Sequence, residues 1–218
     1  MPTRTKSRTP AQVQMARVIT IYVQHVMKLQ AGEVENAPRA DIAPPNGAFP
    51  SFDFFCAEFV PGISLEKYAQ RLVTYMKCTS EAFIFALAYI RRFFHLGFPL
   101  HLRSIHRVLL TSMVVAAKTR DDLYCSMSYY AQVGGVSNRD LNMMELRLLV
   151  DLLDFRAEIL PDEYRAVCSD ITAAVSMEKV SSSLSELCGV TACNTPIDVV
   201  KTPSLAKPQW ITDCQLYW

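Results

Sequence analysis

Glycine is scarce in this sequence, and proline is confined to a few positions. Only 7 of the 218 residues are glycine, whereas the usual share is roughly 7%. No proline occurs within residues 62–98, 100–160 or 162–195. Because these two residue types are the strongest local breakers of regular structure, the chain consists of long unbroken segments with sharp joints between them. This distribution favours helices over many short strands, and the composition excludes collagen-like, disordered and disulfide-scaffold proteins.

The sequence also lacks an excess of charge, a paired set of cysteines and a long hydrophobic run. The formal net charge is +1, which gives no electrostatic reason to expect a nucleic-acid partner. The sequence has 7 cysteines, an odd number, and no CxxC motif. We therefore expect free thiols in a reducing compartment and no zinc site. The most apolar stretch, residues 82–90, ends at Arg91 and is too short to cross a membrane. We therefore expect an intracellular protein, in the cytoplasm and/or the nucleus, that binds no membrane.

Motifs of known catalytic and cofactor sites are absent as well. The sequence contains no GxSxG, HExxH, P-loop, GxGxxG or EF-hand pattern. His101 and His106 are five residues apart, on different faces of a helix, so surface or capping roles are favoured over metal ligation. The adjacent acids Asp121 and Asp122 lie in a polar joint without an acid–base partner nearby. We expect no enzyme, no cofactor and no metal; a small helical enzyme with an unrecognised site is the weakest alternative.

The N-terminal segment is basic and carries a hydrophobic stripe. Residues 1–30 contain arginine and lysine but no acidic residue, which is typical of a mitochondrial transit peptide and also of a basic tail that leads into a packed helix. The stripe favours the packed helix, because so regular a pattern needs a surface to pack against. We therefore predict a basic tail and an amphipathic helix over residues 1–35, then a proline-rich linker over residues 36–59. The stripe consists of Met15, Val18, Ile19, Tyr22, Val26 and Leu29.

Six further helices are predicted from capping residues and hydrophobic periodicity. The second of them is apolar on nearly all sides from Ala82 to Phe94, and is predicted to be a central helix buried by its neighbours. The sixth is expected to end near Met177, so residues 60–177 form one helical domain and residues 178–218 a C-terminal tail with partial order at best. Capping or opening residues of these helices are Ser64, Thr79 or Ser80, Ser137 and Pro161, and the short fourth helix ends at Gly134-Gly135.

Two charged residues interrupt otherwise apolar helix faces. Lys118 follows the apolar run 114–117, and Glu145 lies on a stripe between Leu141 and Leu148. A charge on an apolar face needs either a partner or an interface. The two side chains therefore either reach the edge of the domain or pair only with each other, or they belong to a binding surface. The residues alone leave these interpretations equally open.

Residues 60–168 resemble a cyclin box, and are closest to the phosphate-pathway cyclins and the P/U-type cyclins of plants and protists. Six motifs carry the resemblance, in order and at compatible spacing. They are residues 63–68 (ISLEKY), 88–93 (AYIRRF), 105–112 (IHRVLLTS), 116–118 (AAK) followed by Asp121-Asp122, 129–136 (YYAQVGGV), and Leu141-Asn142 with Glu145. Each motif alone is weakly specific, whereas the ordered set is strongly so.

The resemblance implies an all-α fold with a single five-helix cyclin box around a buried central helix, flanking N- and C-terminal helices, and no catalytic activity. Cyclins bind a cyclin-dependent kinase and reposition its C helix and activation segment, so the implied function is activation of a serine/threonine kinase. In the family, a lysine at the end of the third box helix and a glutamate in the fifth face the kinase, and Lys118 and Glu145 match them. Leu148, Leu149 and Phe155 are candidate apolar contacts. Apart from the kinase, we expect the chain to be monomeric.

Three departures from the family pattern bear on this interpretation. Arg91 occupies the position of an aspartate that usually forms a buried ion pair, and Glu66 or Glu81 is expected to compensate. The segment from Glu145 to Phe155 is one residue longer than usual, and the first box helix lacks the motif with which cell-cycle cyclins dock substrate peptides. The same fold also serves in general transcription factors, so a scaffold that binds a transcription or repair factor without a kinase is the alternative function.

Overall fold

The structure is a computed structural model that describes residues 8–36 and 52–187. These residues form helices and connecting turns, with no β-strand in the described ranges, which confirms the predicted all-α class. Two compact units divide the chain, residues 1–183 and residues 184–218, and the architecture given below is that of the first. The helices are α1 (Pro10–Asn36), α2 (Phe52–Phe55), α3 (Leu65–Tyr75), α4 (Ser80–His95), α5 (Ile105–Arg120), α6 (Met127–Gly134), α7 (Asn138–Arg147), a π-helical turn (Leu148–Leu152) and α8 (Pro161–Leu187).

Local capping interactions define where several helices begin and end. The side-chain oxygens of Ser64, Thr79, Ser126 and Ser137 each accept a hydrogen bond from the backbone N–H three residues on, at 3.0–3.3 Å. Each oxygen satisfies a donor that the first helical turn leaves free. Helix α6 ends at Gly135, whose φ of 71° lies in the left-handed region that glycine adopts without steric cost. These signals are local, which is why the sequence indicated most of the helix starts.

Helix α5 lies at the centre of the domain and packs on α2, α3, α4, α6 and α7. Every residue in the range 108–117 is buried. The prediction that α4 is the central helix is therefore wrong. Helix α4 packs mainly on α1 and α5, contacts α8 through side chains, and leaves Phe85 and Arg91 partly exposed. A polar residue masked the burial of α5 in the sequence: Thr111 is fully buried because its hydroxyl donates to the carbonyl of Arg107 at 2.8 Å.

Helix α1 packs its apolar face on α3 and α4. The Gln30 side-chain amide fixes it further, since it donates to the carbonyl of Phe98 at 2.9 Å and accepts from the N–H of Leu100 at 2.7 Å. This is the arrangement that the packed-helix interpretation of the N-terminal segment requires. The most deeply buried residues of α1 are Ala16, Val18, Ile19, Tyr22, Val23 and Val26.

The end of the predicted linker is attached to α5 and α7 through the short helix α2. Phe55 is fully buried there. Ala57 and Arg103 then exchange two hydrogen bonds, from the Ala57 N–H to the Arg103 carbonyl and from the Arg103 Nε–H to the Ala57 carbonyl, each at 2.8 Å. The remaining part of the linker, residues 37–51, lies outside the described residues, as do residues 1–7 of the basic tail.

Arg91 finds its counterion on α8 rather than on α3 or α4. Its Nε lies 2.7 Å from Oδ2 of Asp170. The expectation that Glu66 or Glu81 compensates for the missing aspartate is therefore wrong. Glu66 accepts instead from the side-chain amide of Gln70 on the same helix. The two ends of the Arg91–Asp170 pair are 79 residues apart in the chain, so only the packing of α8 on α4 brings them together.

Helix α8 continues to Leu187, beyond the predicted end near Met177. No glycine or proline interrupts this stretch, and serine, although a weak helix former, costs only a fraction of what proline would. The serine-rich residues 181–183 are therefore helical rather than the start of a tail. Residues 188–218, the rest of the predicted C-terminal tail, lie outside the described residues.

Replacing Gly134 with alanine is expected to destabilise the domain by about 2 kcal/mol through overpacking. A Cβ at Gly134 would lie within 3.0 Å of three side-chain carbons of Leu110, so this fully buried side chain would have to shift within the core. The measurement is the midpoint of urea unfolding followed by circular dichroism. Gly62 is the matched control, because a Cβ added there meets nothing within 4 Å. Equal midpoints for the two alanine variants would contradict the close approach of α6 and α5.

His106 is expected to make stability fall as the pH is lowered. Its side chain is buried, with Nε2 3.1 Å from the carbonyl oxygen of Ile63 and its ring 5.0 Å from that of Tyr68. Burial lowers the pKa of His106 below its ordinary value. The folded state therefore binds fewer protons than the unfolded state below the unfolded pKa of about 6.5, so the free energy of unfolding decreases as the pH falls below that value.

The measurement is the urea midpoint at pH 7.5 and at pH 5.5, for the natural chain and for His106→Gln. Glutamine retains a side-chain N–H that reaches the Ile63 carbonyl but does not titrate. The drop in midpoint on acidification should be smaller for the variant than for the natural chain. An equal drop in both proteins would show that other groups cause the pH dependence.

Candidate functional site

Lys118 and Glu145 form an ion pair at the edge of the domain. Lys118 lies in the last turn of α5 and Glu145 in α7. The ammonium nitrogen is 2.7 Å from one carboxylate oxygen and 2.9 Å from the other. The side chains remain 30% and 16% exposed. Of the interpretations that the sequence left open, the structure thus shows a pair that is formed within the chain and still reaches solvent.

The packing of α7 on α5 brings the two charges together. The apolar stripe of α7, formed by Leu141 and Met144, is buried, as is the residue that follows the helix, Leu148. Glu145 is adjacent to this stripe and therefore points along the α5 surface toward Lys118. A lysine ammonium carries three donors and a carboxylate about four acceptor positions, so the pair has bonding capacity left for the groups of a partner.

The predicted apolar contacts differ in exposure. Leu148 is fully buried and belongs to the core of the domain, so a docked partner does not reach it. Leu149 is partly exposed, and Phe155 is 68% exposed. Leu146 and Val150 are two further exposed hydrophobic residues, which were not predicted and lie four apart on α7 and its continuation. Their spacing was a usable signal, because it defines a second stripe beside the one that packs on the core.

Exposed hydrophobic residues also follow Lys118. Leu123 and Tyr124, in the turn between α5 and α6, are 89% and 56% exposed. The turn is tied to the start of α4, since Asp121 accepts hydrogen bonds from the backbone N–H and the hydroxyl of Thr79 at 3.1 and 2.5 Å. Exposed apolar side chains thus follow Lys118 along the chain and neighbour Glu145 on α7 and its continuation, a composition suited to binding a protein partner.

A π-helical turn lies within the segment from Glu145 to Phe155, which the resemblance predicts to be one residue longer than usual. It spans Leu148–Leu152 and is closed by a hydrogen bond from the Leu153 N–H to the Leu148 carbonyl at 2.9 Å, five residues back. A single π turn holds one residue more than an α-helical turn would, and such turns are frequent at functional sites. The turn directly follows α7, the helix in which Glu145 pairs with Lys118.

The described ranges contain neither a cluster of three or more histidine, cysteine, aspartate or glutamate side chains arranged to hold a metal ion nor a helix that is long and apolar enough to span a membrane.

Burial raises the pKa of the Cys78 thiol to about 12, with a smaller contribution from the nearby Asp121 carboxylate. This thiol is therefore protonated and a poor nucleophile at neutral pH.

The first unit is a helical domain built around the buried helix α5, with a partly exposed charged pair and exposed apolar side chains on α7 and after α5. The comparison with protein families makes the assignment specific: the family model Cyclin matches residues 13–157, and the chain belongs to the cyclin family. The match begins within α1, well before the start near Val60 that the motifs indicated, so α1 is part of the matched region. Members of this family are regulatory subunits that are generally without enzymatic activity, and membership supports a regulatory role for this chain.

Relatives among characterised plant proteins have the U and P designations expected from the sequence. Cyclin-U1-1 of Arabidopsis thaliana is 35% identical over 173 residues, which cover 78% of this chain and 80% of the relative. Cyclin-P3-1 of Oryza sativa subsp. japonica is 31% identical over 166 residues, covering 76% and 69%. Cyclin-U4-1 of Arabidopsis thaliana is 38% identical over 111 residues, covering 50% and 54%. The predicted resemblance to P/U-type cyclins is thereby confirmed.

Proposed function

We propose that this chain binds a cyclin-dependent serine/threonine kinase and activates it, without catalytic chemistry of its own. The observation that carries the proposal is the Lys118–Glu145 pair: it lies at the two positions that face the kinase in cyclins and is partly exposed in the free chain. One copy of the chain binds one kinase. Leu149 and Phe155 are retained as apolar contacts, Leu146 and Val150 are added, and Leu148 is assigned to the core.

The energetics of the pair favour a role in binding over a role in folding. The Glu145 side chain is only 16% exposed, but removal of both partners together leaves no buried charge unpaired, so the pair as a whole contributes on the order of 1 kcal/mol or less to stability. Two charges on the apolar faces of α5 and α7 are therefore of little use to the fold. At an interface the two charges contribute more, because exclusion of water strengthens their hydrogen bonds to the partner. A partner that leaves either charge unpaired pays the cost of burying that charge.

The proposed mechanism follows from the bonding capacity left on the pair. The ammonium donor of Lys118 and the acceptor positions of Glu145 bind backbone carbonyl and N–H groups of the kinase segment that precedes its C helix. The exposed side chains of α7 pack against the C helix itself. Backbone groups held at two points fix both the position and the rotation of that segment, so binding selects the active orientation of the C helix.

The test is an affinity purification from an extract of the source cells with the tagged chain at low salt. Retained proteins are identified by mass spectrometry, and the eluate is assayed for protein kinase activity. We expect a cyclin-dependent kinase whose activity rises when the chain is bound. Recovery of no kinase would overturn the proposal, and recovery of a transcription or repair factor in its place would favour the scaffold function.

A further inference from the structure

The connection between α7 and α8 contains a strained turn that exposes an aromatic ring. Asp154 and Phe155 have φ angles of +48° and +57°, in the left-handed region that residues other than glycine rarely adopt. Phe155 is 68% exposed. The backbone conformation is unfavourable, and the exposed ring recovers nothing through burial in the free chain. Strained residues persist only where the surrounding structure determines them, and they are concentrated at ligand-binding sites and switches.

Helix α4 holds this turn from behind. The Tyr89 hydroxyl donates to the carbonyl of Ala157 at 2.6 Å. The Arg92 guanidinium donates to the carbonyl of Glu158 at 2.7 Å, and also to the carbonyl of Arg156. Three consecutive backbone carbonyls directly after Phe155 are thus bound by two side chains of one helix. This attachment fixes the path of the chain that the strained turn must follow.

The front of the turn is continuous with the proposed kinase-binding surface. The backbone N–H of Phe155 donates to the carbonyl of Leu149 at 2.8 Å, and Leu149 lies one turn after Glu145 on the same helical segment. The Tyr89 hydroxyl also lies beside Thr119, in the turn of α5 that carries Lys118. Tyr89 thus contacts both the chain that follows Phe155 and the last turn of α5.

We propose that Tyr89 and Arg92 are positioning residues: they hold the 153–156 turn and so set the affinity for the cyclin-dependent kinase without touching the kinase. This inference rests on the proposed function, which already includes Phe155 as an apolar contact, and deepens it. A ring that is already held in its bound position loses little conformational freedom on binding, so preorganisation converts directly into affinity. The π-helical turn sets where along the surface the Phe155 ring emerges, and so contributes to the choice of kinase.

The test measures binding of the recombinant kinase identified in the affinity purification, by calorimetry, to four variants of the full chain. Phe155→Ala should weaken binding about 30-fold, as loss of an aromatic hot spot does. Tyr89→Phe, which removes one hydroxyl and leaves the ring in the core, should weaken it about fivefold. The variant that combines Phe155→Ala with Tyr89→Phe should bind the kinase as weakly as Phe155→Ala alone. Once the Phe155 ring is absent, the position of the turn no longer affects binding. Arg91→Ala is the matched control, since it removes a neighbouring α4 contact to α8 and leaves the turn attached.

Several outcomes would overturn the inference. If the losses of kinase affinity caused by Phe155→Ala and Tyr89→Phe add up in the combined variant, Tyr89 has a merely structural role. The same conclusion follows if Tyr89→Phe and Arg91→Ala weaken kinase binding equally. Unchanged binding by Phe155→Ala would remove the apolar contact itself. If that result coincides with loss of binding on substitution of Lys118 and Glu145, the proposed function stands and only this inference fails. If the kinase also tolerates substitution of the ion pair, the proposed function fails with it.

Discussion

Replacing both Lys118 and Glu145 with alanine is expected to reduce kinase affinity on the order of 100-fold or more, because the double variant removes both points that orient the kinase segment. Helical content should be unchanged, since the pair is partly exposed and α5 and α7 are held by their buried apolar stripes. The measurements are co-purification of the kinase, kinase activity of the eluate and far-ultraviolet circular dichroism. The kinase signal should disappear while the dichroism spectrum is retained.

The control for this variant is Asp162→Ala with Arg165→Ala. These residues form an exposed ion pair in the first turn of α8, so the control makes the same change in charge away from the proposed surface. The double variant at Lys118 and Glu145 should lose only about 1 kcal/mol of stability or less, because it removes both charges and leaves neither of them unpaired. A loss above about 3 kcal/mol would identify a structural pair, and kinase recovery equal to that of the control would show that the proposed site is wrong.

Exchanging the two charges, with Lys118→Glu and Glu145→Lys together, separates the two roles of the pair. The exchanged chain retains an attraction between α5 and α7, so a purely structural pair would still support binding. A partner that accepts a hydrogen bond from Lys118 and donates one to Glu145 would lose both bonds when the charges are exchanged. We expect the exchanged chain to fold and to bind the kinase as poorly as the double alanine variant.

Replacing Arg92 with alanine is expected to destabilise the domain by about 2 to 3 kcal/mol. Its guanidinium is within 2.6 Å of both carboxylate oxygens of Glu163 and binds the carbonyls of Arg156 and Glu158. The Glu163 side chain is only 20% exposed, so the substitution leaves a largely buried carboxylate without this partner. The measurement is the free energy of unfolding in urea.

Arg91→Ala provides the comparison, because Arg91 precedes Arg92 on α4 and also pairs with α8. Its partner, Asp170, is 45% exposed, so solvent compensates for the lost pair and the cost should stay below about 1 kcal/mol. The two alanine variants should thus differ severalfold in their effect on stability. Similar losses for both would show that α8 is held mainly by its buried apolar residues, among them Val167 and Ile171.

The charged pair illustrates how far the sequence goes toward the site. Lys118 and Glu145 could be picked out as candidate binding residues because each interrupts an apolar helix face and each matches a family position by resemblance. In the structure, Nζ of Lys118 lies 2.7 Å from Oε1 of Glu145. The sequence could not assign Leu148 to the core, because leucines at successive positions of one helix look alike until the packing on α5 is known. Nor did it indicate that Leu146 and Val150 share the exposed stripe of α7.

The π-helical turn is an intermediate case. The resemblance predicted that the segment from Glu145 to Phe155 is one residue longer than usual, but not which structure the segment adopts. The structure has a π-helical turn at Leu148–Leu152, within this segment. An α-helix and a π-turn differ by one hydrogen-bond register, and the packing of the flanking residues decides between them. No local propensity distinguishes the two.

What the sequence determined by itself is the set of helices and the family, because capping residues, glycine and proline act within a few residues and the motifs keep their order along the chain. The scarcity of glycine agrees with this, since only Gly97 and Gly135 among the described glycines have positive φ. The tertiary structure alone decided that α5 is central, that Arg91 pairs with Asp170 and that α4 holds the strained turn. These features depend on side chains that are far apart in sequence, and only the packing of whole helices brings them into contact.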